Sequence, residues 1–162
     1  MPDNTYQTLV FSLEEQLYGL PLQPVERVLR AVEVTGLPDA PEHILGLIND
    51  RGRQLPVLDM RRRLSLPTCP VLPEHRIIVV GGKFPFCFFV DAVTGVIHFQ
   101  RNAFRTPNEI YPGMERFLSG IFTWNDATVL VFDCNMLFAG LQMGTIWPEL
   151  QNTPAQMNPC QP

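Results

Sequence analysis

The sequence predicts an all-β protein made of two similar small barrels packed side by side. The first observation is a repeat: Gly46–Asp59 and Gly120–Asp133 both run, without a gap, as glycine, two apolar residues, a polar turn, an apolar strand and aspartate. The second is that 16 prolines and 11 glycines in 162 residues favour many short strands over long helices. Periodicity alone does not separate barrels from a two-sheet sandwich, which stays open as the alternative.

Composition and charge narrow the class of function. The formal net charge of −4 gives no general attraction to nucleic acid or to anionic membranes, so we expect no nucleic-acid partner. No apolar stretch has the 18 or so residues of a spanning helix, and the N-terminus lacks the apolar segment of a signal peptide. Four cysteines without CxxC spacing are read as reduced thiols. We therefore expect a cytoplasmic protein with no direct membrane insertion.

The first part of the chain is predicted to form strands and one short helix. Pro21 or Pro24 suits the first turn of a helix that carries Val25, Val28 and Leu29 on one side. Alternating or continuous apolar residues predict strands at 5–13, 17–20 and 32–37.

The first copy of the repeat predicts a hairpin followed by a helix. Strands at 44–48 and 53–58 flank the polar turn Asn49–Gly52. Asp59 is placed to cap a short helix, because its carboxylate can accept from the free amides of the first turn. The basic run Arg61–Arg63 is expected on the solvated face of that helix.

The second half is predicted to repeat this organisation. We expect a single domain over 1–141, with one subdomain at about 5–66, a proline-rich linker at 67–75 and a second subdomain at about 76–141. Residues 142–162, rich in Pro, Asn and Gln, are predicted to be a mostly disordered tail. Before the second hairpin we expect strands at 76–80, 84–90 and 94–98, and a polar loop at 101–112.

No motif in the chain points to a reaction. Lys83 follows two glycines, but the other positions of a phosphate-binding loop are occupied by Ile77 and Phe84. The three histidines are far apart and none has a second ligand at metal spacing, so we expect no metal and no cofactor. Asp59 and Asp91 each end an apolar strand and are read as caps. The chain is therefore predicted not to be an enzyme.

At Asn49-Asp50-Arg51-Gly52, followed by Leu55–Arg61, the chain resembles the CheW family of chemotaxis coupling proteins, whose pattern is roughly N-L-R-G before a strand ending P-hydrophobic-hydrophobic-D-L-R. The resemblance spans residues 5–141. It also includes Phe11–Leu13, Tyr18–Leu20, Val25, Val28, Leu37-Pro38, Ala40-Pro41, Val90–Val93 and Leu118–Gly120.

The resemblance implies a fold and a function. The fold is a pair of five-stranded, SH3-like barrels with a hydrophobic seam and few short helices. The function is a non-enzymatic scaffold that connects the regulatory domain of a CheA-type histidine kinase to the cytoplasmic tip of a chemoreceptor, with recruitment to membrane-associated receptor arrays. One alternative is a CheW-like binding module that acts in a related pathway such as type IV pilus motility, or outside chemosensory arrays altogether. Another is an enzyme with a site in the seam.

The resemblance also implies partner-binding residues. Arg51 matches the family's arginine, whose guanidinium can make several directed hydrogen bonds, while Asn49 and Gly52 are expected to shape the turn. The positions that line a receptor-facing groove in the family correspond here to Val25, Gly46, Ile77 and Val93.

Three departures from the family pattern are included in the expected partner-binding set. Asp50 replaces the usual leucine and is expected to pair locally with Arg51. Arg27 stands where an acidic residue is usual, with the acid at Glu26 instead. Cys87 replaces a glycine and is expected to add a side chain where the groove backbone is often bare.

Overall fold

The computed structural model describes residues 4–106, residue 109 and residues 118–137, and these residues form an all-β fold, as predicted. The helical segments among them are single turns: α1 (Met60–Arg63), a 3-10 turn (Arg101–Ala103) and α2 (Cys134–Leu137). The strands are β1 (Thr5–Leu13), β2 (Gln16–Pro21), β3 (Val25–Arg30), β4 (Ile44–Asp50), β5 (Arg53–Leu58), β6 (Arg76–Val80), β7 (Phe86–Val90), β8 (Ala92–Gln100), β9 (Leu118–Trp124) and β10 (Ala127–Phe132).

The strands pair into two five-stranded sheets that exchange strands between the two repeats. The first sheet has the order β8-β1-β2-β10-β9, and the second has the order β3-β6-β7-β5-β4. If β1–β5 and β6–β10 are the repeats, each sheet takes two strands from one repeat and three from the other. The predicted boundary between subdomains at residues 67–75 therefore does not separate the sheets. This segment contains no strand or helix and leads from β5 and α1 to β6, which lies in the same sheet as β5.

The repeated hairpin is confirmed down to its register. Both turns have two residues with positive φ, Arg51 and Gly52 at 55° and 83°, and Asn125 and Asp126 at 49° and 64°. Such turns match the right-handed twist of paired strands. The equivalent glycines are also paired alike, Gly46 with Val57 and Gly120 with Val131. A one-turn helix follows each hairpin, and the Asp59 carboxylate accepts from the Arg62 amide at 3.1 Å, as predicted.

Two elements before the first hairpin differ from prediction. The segment expected to be a helix after Pro24 is strand β3, whose alternate residues are half-buried and exposed along its pairing with β6. The strand expected at 32–37 is reduced to one antiparallel bridge between Thr35 and Leu47, with two N···O distances of 2.8 Å. In both places pairing with a distant strand, rather than local propensity, decides the conformation.

The second half follows the predictions with changes in length. β7 begins at Phe86, two residues later than expected, and β8 is longer at both ends than the predicted 94–98. The expected loop at 101–112 begins with the 3-10 turn, and Arg105 bridges Ile121 on β9 in the way that Thr35 bridges β4. Most of 107–117 and the predicted tail 142–162 lie outside the described residues.

The core has three parts. The central cluster joins the two sheets, with Phe11 and Phe88 at a ring-centroid distance of 5.6 Å and Tyr18 stacked on Phe132 at 5.1 Å. Each such side chain contributes about 1.5–3 kcal/mol on burial. Smaller clusters fill each sheet's own interior, around Val10, Phe122, Val129 and Val131 in the first and Ile48, Leu55, Val57, Ile77, Val79 and Cys87 in the second. Among the described residues, no helix has the length and apolarity needed to span a membrane.

Candidate partner-binding site

The tip of the β4–β5 hairpin presents an exposed arginine, Arg51. The Asn49 side chain accepts from the Gly52 amide at 2.8 Å, so these two residues shape the turn as predicted. Arg51 is exposed, and its side chain makes no hydrogen bond or ion pair with any residue that the structure describes. Its positive φ is an uncommon conformation for a long side chain. This φ belongs to the two-residue hairpin turn, because Asn125 and Asp126 also adopt positive φ at the equivalent positions of the second hairpin.

Asp50 pairs with two other arginines, not with Arg51. It is only 6% exposed, and its carboxylate contacts the guanidinium groups of Arg27 on β3 and Arg53 on β5, the latter at 3.1 Å. The expected local pair between Asp50 and Arg51 is therefore wrong. The physical reason is that Asp50, the last residue of β4, faces the barrel side, where β3 and β5 supply cations, while Arg51 lies in the turn.

The ion pairs extend to Glu26 and form what we call the ion cluster: Glu26, Arg27, Asp50 and Arg53. Arg53 donates to Glu26 at 2.7 Å, and this hydrogen bond lowers the pKa of Glu26. The two acids and two bases of the cluster balance, and Arg51 beside it is a further positive charge with no ion-pair partner among the described residues. The Nε of Arg27 is buried and has no hydrogen-bond partner in the described part of the chain. The cluster ties edge strand β3 to the hairpin that carries Arg51.

Ile77 and Cys87 are placed inside the second sheet, where a partner cannot reach them. Both are fully buried, and the Cys87 thiol lies 3.6 Å from the carbonyl oxygen of Pro56. Burial raises the pKa of Cys87 to about 12, so the group is an inert thiol. The expectation that Cys87 adds a side chain to a groove is wrong, because this side chain packs with Ile77 in the core cluster.

Gly46 serves the closure of the second sheet. It is buried with φ of 153°, and a Cβ there would overlap the carbonyl of Thr35. Since Thr35 and Leu47 exchange the hydrogen bonds that bridge the chain to β4, the bare backbone of Gly46 permits this close approach. In the structure its bare backbone serves the packing of this bridge.

Val25 and Val93 lie at the seam between the sheets. Each is half-buried near the start of an edge strand, β3 or β8, and each packs against the central cluster. The structure thus gathers Arg27, Asn49, Asp50, Arg51 and Gly52 at one end of the second sheet, together with Glu26 and Arg53. It places Val25 and Val93 at the seam, with Val25 directly before Glu26 of the ion cluster.

A second charged cluster, which we call the seam network, was not predicted and joins the two sheets. Arg61 of α1 is only 13% exposed and pairs with Glu14 in the β1–β2 turn and with Asp91 between β7 and β8. Asp91 also accepts from the Glu14 amide at 3.0 Å, and His75 Nε2 lies 3.8 Å from it. These partners lie 16 to 77 residues apart in sequence, so no local pattern signals them.

Two predictions about Asp91 and the basic run Arg61–Arg63 are wrong in whole or in part. Asp91 is not a helix cap, because strand β8 follows it at Ala92. The basic run does not lie wholly on a solvated face: Arg62 pairs with exposed Glu42, as expected of such a face, but Arg61 is mostly buried and Arg63 donates to the Leu137 carbonyl of α2 at 2.9 Å.

The cavity at the seam is smaller than a typical small-molecule site. It measures about 110 Å³ and is lined in part by Asp59, Arg61, Cys69, His75 and Asp91. Small-molecule sites are typically about 300–1,000 Å³. Titratable side chains that line the cavity are also hydrogen-bonded within the protein. Arg61 binds Asp91, and His75 Nδ1 accepts from the Leu72 amide at 3.1 Å.

The sequence and fold match known proteins of one family. The family model described as CheW-like domain matches residues 7–142. The chemotaxis protein CheW of Treponema pallidum is 22% identical over 149 residues, covering 87% of this chain and 86% of that protein. Protein PilI of Pseudomonas aeruginosa is 30% identical over 117 residues, covering 69% and 64%, and protein FrzA of Myxococcus xanthus is 37% identical over 87 residues, covering 53% and 54%.

A solved structure agrees with the fold. The crystal structure of the scaffolding protein TtCheW from Thermoanaerobacter tengcongensis superposes with a TM-score of 0.74 at 32% identity, covering 83% of this chain and 92% of that one. The repeated hairpins, the two five-stranded sheets and the match along most of the chain lead to one conclusion: this protein belongs to the CheW-like domain family.

Proposed function

We propose that this chain is a non-enzymatic scaffold of bacterial chemosensory signalling, which couples the cytoplasmic tip of a chemoreceptor to the regulatory domain of a CheA-type histidine kinase. It acts in the cytoplasm and is recruited to membrane-associated receptor arrays. The observation that carries this proposal is the likeness, over nearly the whole described fold, to a solved scaffolding protein of the CheW name.

The exposed charge at the hairpin tip supports a docking role for that end of the molecule. The ion cluster neutralises itself, and the guanidinium of Arg51 beside it is exposed and has no ion-pair partner among the described residues. A guanidinium fixes a partner through several directed hydrogen bonds, which gives orientation as well as affinity. In this proposal Arg51 contacts the partner, Asn49 and Gly52 hold the turn, and Arg27 and Asp50 hold the turn against β3.

The seam supplies the apolar part of the proposed docking surface. Val25 and Val93 are half-buried there, while Ile77 and Cys87 pack in the second sheet's own core and Gly46 lies against the Thr35 backbone. Apolar anchors with directional charges at the rim are the usual composition of protein interfaces.

The test measures binding of purified partners by calorimetry. The intact chain, Arg51→Ala and the control Arg62→Ala, which removes an exposed arginine elsewhere, are titrated with the CheA regulatory domain and with a receptor cytoplasmic fragment from the same organism. We expect Arg51→Ala to melt normally but to bind one partner about tenfold more weakly, or about 1.4 kcal/mol. The control should bind as the intact chain does.

Two results would count against the proposal. If the intact chain binds neither partner, the fold serves another system. If Arg51→Ala unfolds, Arg51 is structural and its role as a contact residue is wrong.

The same scaffold in a related pathway is the second candidate. FrzA and PilI, relatives that carry names other than CheW, favour it. This second candidate includes a role in type IV pilus motility and a role with partners outside chemosensory arrays. Titration against each CheA-type kinase encoded in the organism separates the candidates, because only the kinase of the pathway served is expected to bind.

A further inference from the structure

A cavity at one end of the first sheet has the size of a small-molecule site. It measures about 680 Å³, and strands β1, β2, β8, β9 and β10 all contribute residues to its wall. We call it the first-sheet cavity. Sites for small molecules typically measure about 300–1,000 Å³ and often lie in the mouths of β-barrels. The seam cavity, at about 110 Å³, is well below that range.

Three residues on the inner side of the first sheet are smaller than their equivalents in the second sheet. The registers of β1 with β2 and of β6 with β7 match, as do the parallel pairings of β2 with β10 and of β7 with β5. They make the equivalents of Ile77, Cys87 and Phe89, in that order, Thr8, Gly19 and Pro21. The larger residues pack together in the second sheet's own core. The smaller ones leave room for the first-sheet cavity.

Thr8 brings a buried hydroxyl group to the wall of this cavity. The residue is only 1% exposed, and its side chain makes no hydrogen bond with any residue that the structure describes. Its methyl group lies against the bare backbone of Gly19, where a Cβ would come within 2.5 Å of it. Since buried hydroxyl groups are nearly always hydrogen-bonded, the hydroxyl of Thr8 is available to a polar group of a bound molecule.

Aromatic rings form the apolar part of the wall. Tyr6, Phe99 and Phe104 lie 4.9 to 5.7 Å from one another between ring centroids. Tyr6 is two residues from Thr8 on the same face of β1, so the rings and the buried hydroxyl are separated by about 7 Å along the strand. Aromatic groups pair at centroid distances of about 4.5–7 Å, so a flat ring system of this length fits the wall.

Arg101 is the one charged residue among the described residues that line the cavity. It is exposed, its guanidinium carbon lies 4.6 Å from the centroid of the Tyr6 ring, and its side chain makes no ion pair with any described residue. A guanidinium stacked on a ring still presents its in-plane N–H donors, whose geometry matches a carboxylate. No carboxylate of the described lining residues competes for them. The outer end of the cavity therefore favours an anionic, planar group.

We propose that the first-sheet cavity binds a small aromatic carboxylic acid that carries a hydroxyl group at its far end. The carboxylate pairs with Arg101 at the exposed end, the ring system lies along Tyr6, Phe99 and Phe104, and the hydroxyl group reaches Thr8 at the buried end. The site lies on the first sheet, whereas Arg51 lies on the second, so this ligand does not use the proposed partner contact.

Titration of the full chain with small aromatic compounds, followed by amide chemical shifts in NMR, tests the site. The compounds are 6-hydroxy-2-naphthoate, 2-naphthoate, which lacks the hydroxyl group, and 2-naphthylmethanol, which lacks the carboxylate. We expect saturable shifts centred on Tyr6, Thr8, Phe99 and Arg101. The hydroxylated acid should bind with a dissociation constant of about 1 mM or lower, as is usual for ligands of this size. The other two compounds should bind more weakly.

Two variants assign the polar contacts. Arg101→Gln should raise the dissociation constants of both acids about fivefold and leave that of the alcohol unchanged, because a charge-assisted hydrogen bond is lost. Arg105→Gln, which removes an exposed arginine outside the cavity wall, is its control. Thr8→Val keeps the shape of the side chain and removes the hydroxyl group. It should abolish the advantage of the hydroxylated acid without changing the binding of 2-naphthoate.

The proposal is overturned if the hydroxylated acid gives no saturable shifts at the cavity, or if the two acids bind the unmodified chain equally well. Neither of these comparisons depends on a variant that folds. Equal binding by Arg101→Gln and Arg105→Gln, once both are shown to melt normally, would also overturn it. The same holds if these amides respond only to a kinase or receptor fragment, which would assign the cavity to a protein partner.

Discussion

At the scale of single residues, the placement of Asp50 decides how the hairpin tip is charged. The carboxylate is buried and depends on Arg27 and Arg53 for its neutralisation. Removing one partner of a buried pair leaves a charge that solvent cannot reach, whereas removing an exposed partner costs little. Residues of the ion cluster should therefore differ in how much they contribute to the free energy of unfolding.

Arg27→Ala is expected to lower the free energy of unfolding by about 1–3 kcal/mol, because Asp50 would keep only the more exposed Arg53. Glu26→Ala, at the exposed side of the cluster, should change it by about 1 kcal/mol or less. Urea denaturation of both variants measures this. The double variant Arg27→Met/Asp50→Leu lacks both charges of this pair, so its free energy of unfolding should return towards that of the unmodified chain. Equal losses in the two single variants would contradict the argument.

At the scale of elements, the seam network fixes the β1–β2 turn, α1 and the start of β8 against one another. Partial burial by itself raises the pKa of Asp91, but the Glu14 amide and the Arg61 guanidinium outweigh it, with His75 nearby, and the pKa is lowered overall. A lowered pKa means that the folded state holds the ionised carboxylate more strongly than the unfolded chain does. This link between elements therefore depends on pH.

The stability from Asp91 is present above the unfolded pKa of about 4 and is lost as the pH falls through the lower folded value. Asp91→Asn should therefore reduce stability at neutral pH and make the decline below about pH 4 less steep. The measurement is urea denaturation across the acidic range. Asp39→Asn, which changes an exposed aspartate, is the control and should keep the pH profile of the unmodified chain. A profile unchanged by Asp91→Asn would show that the network does not contribute.

At the scale of the whole molecule, the exchange of strands makes the two repeats dependent on each other. β1 and β2 pair with β8 and β10, and β6 and β7 pair with β3 and β5. The exchange follows from short connections: three residues separate β2 from β3, and Asp91 alone separates β7 from β8. Neither repeat can complete a five-stranded sheet by itself.

Fragments 1–72 and 73–162 are therefore expected not to fold alone, because each would expose the apolar face that its missing strands cover. Mixed in equal amounts, they should recover strand content and a cooperative thermal transition. Circular dichroism of each fragment and of the mixture checks this. A cooperative transition in either fragment alone would show that a repeat is an independent unit.

Local sequence was sufficient for some elements. The two hairpins were predictable since turn residues, alternation and the aspartate after each second strand are encoded within 14 consecutive residues. The role of Asn49 and Gly52 was predictable for the same reason. Strand β3 was not, because a valine-rich segment after a proline fits either a helix or a strand until β6 pairs with it.

The sequence by itself determined the all-β class, the duplication, the family and the turn that carries Arg51, because each depends on neighbouring residues or on a pattern spread along the chain. Only the tertiary structure decided which strands share a sheet, which cation neutralises Asp50, and that Arg61 and Asp91 join the sheets. The physical reason is that Arg27 and Asp50 lie 23 positions apart in the chain and Arg61 and Asp91 lie 30 apart, and such contacts are selected by burial and pairing in three dimensions, which no local pattern records.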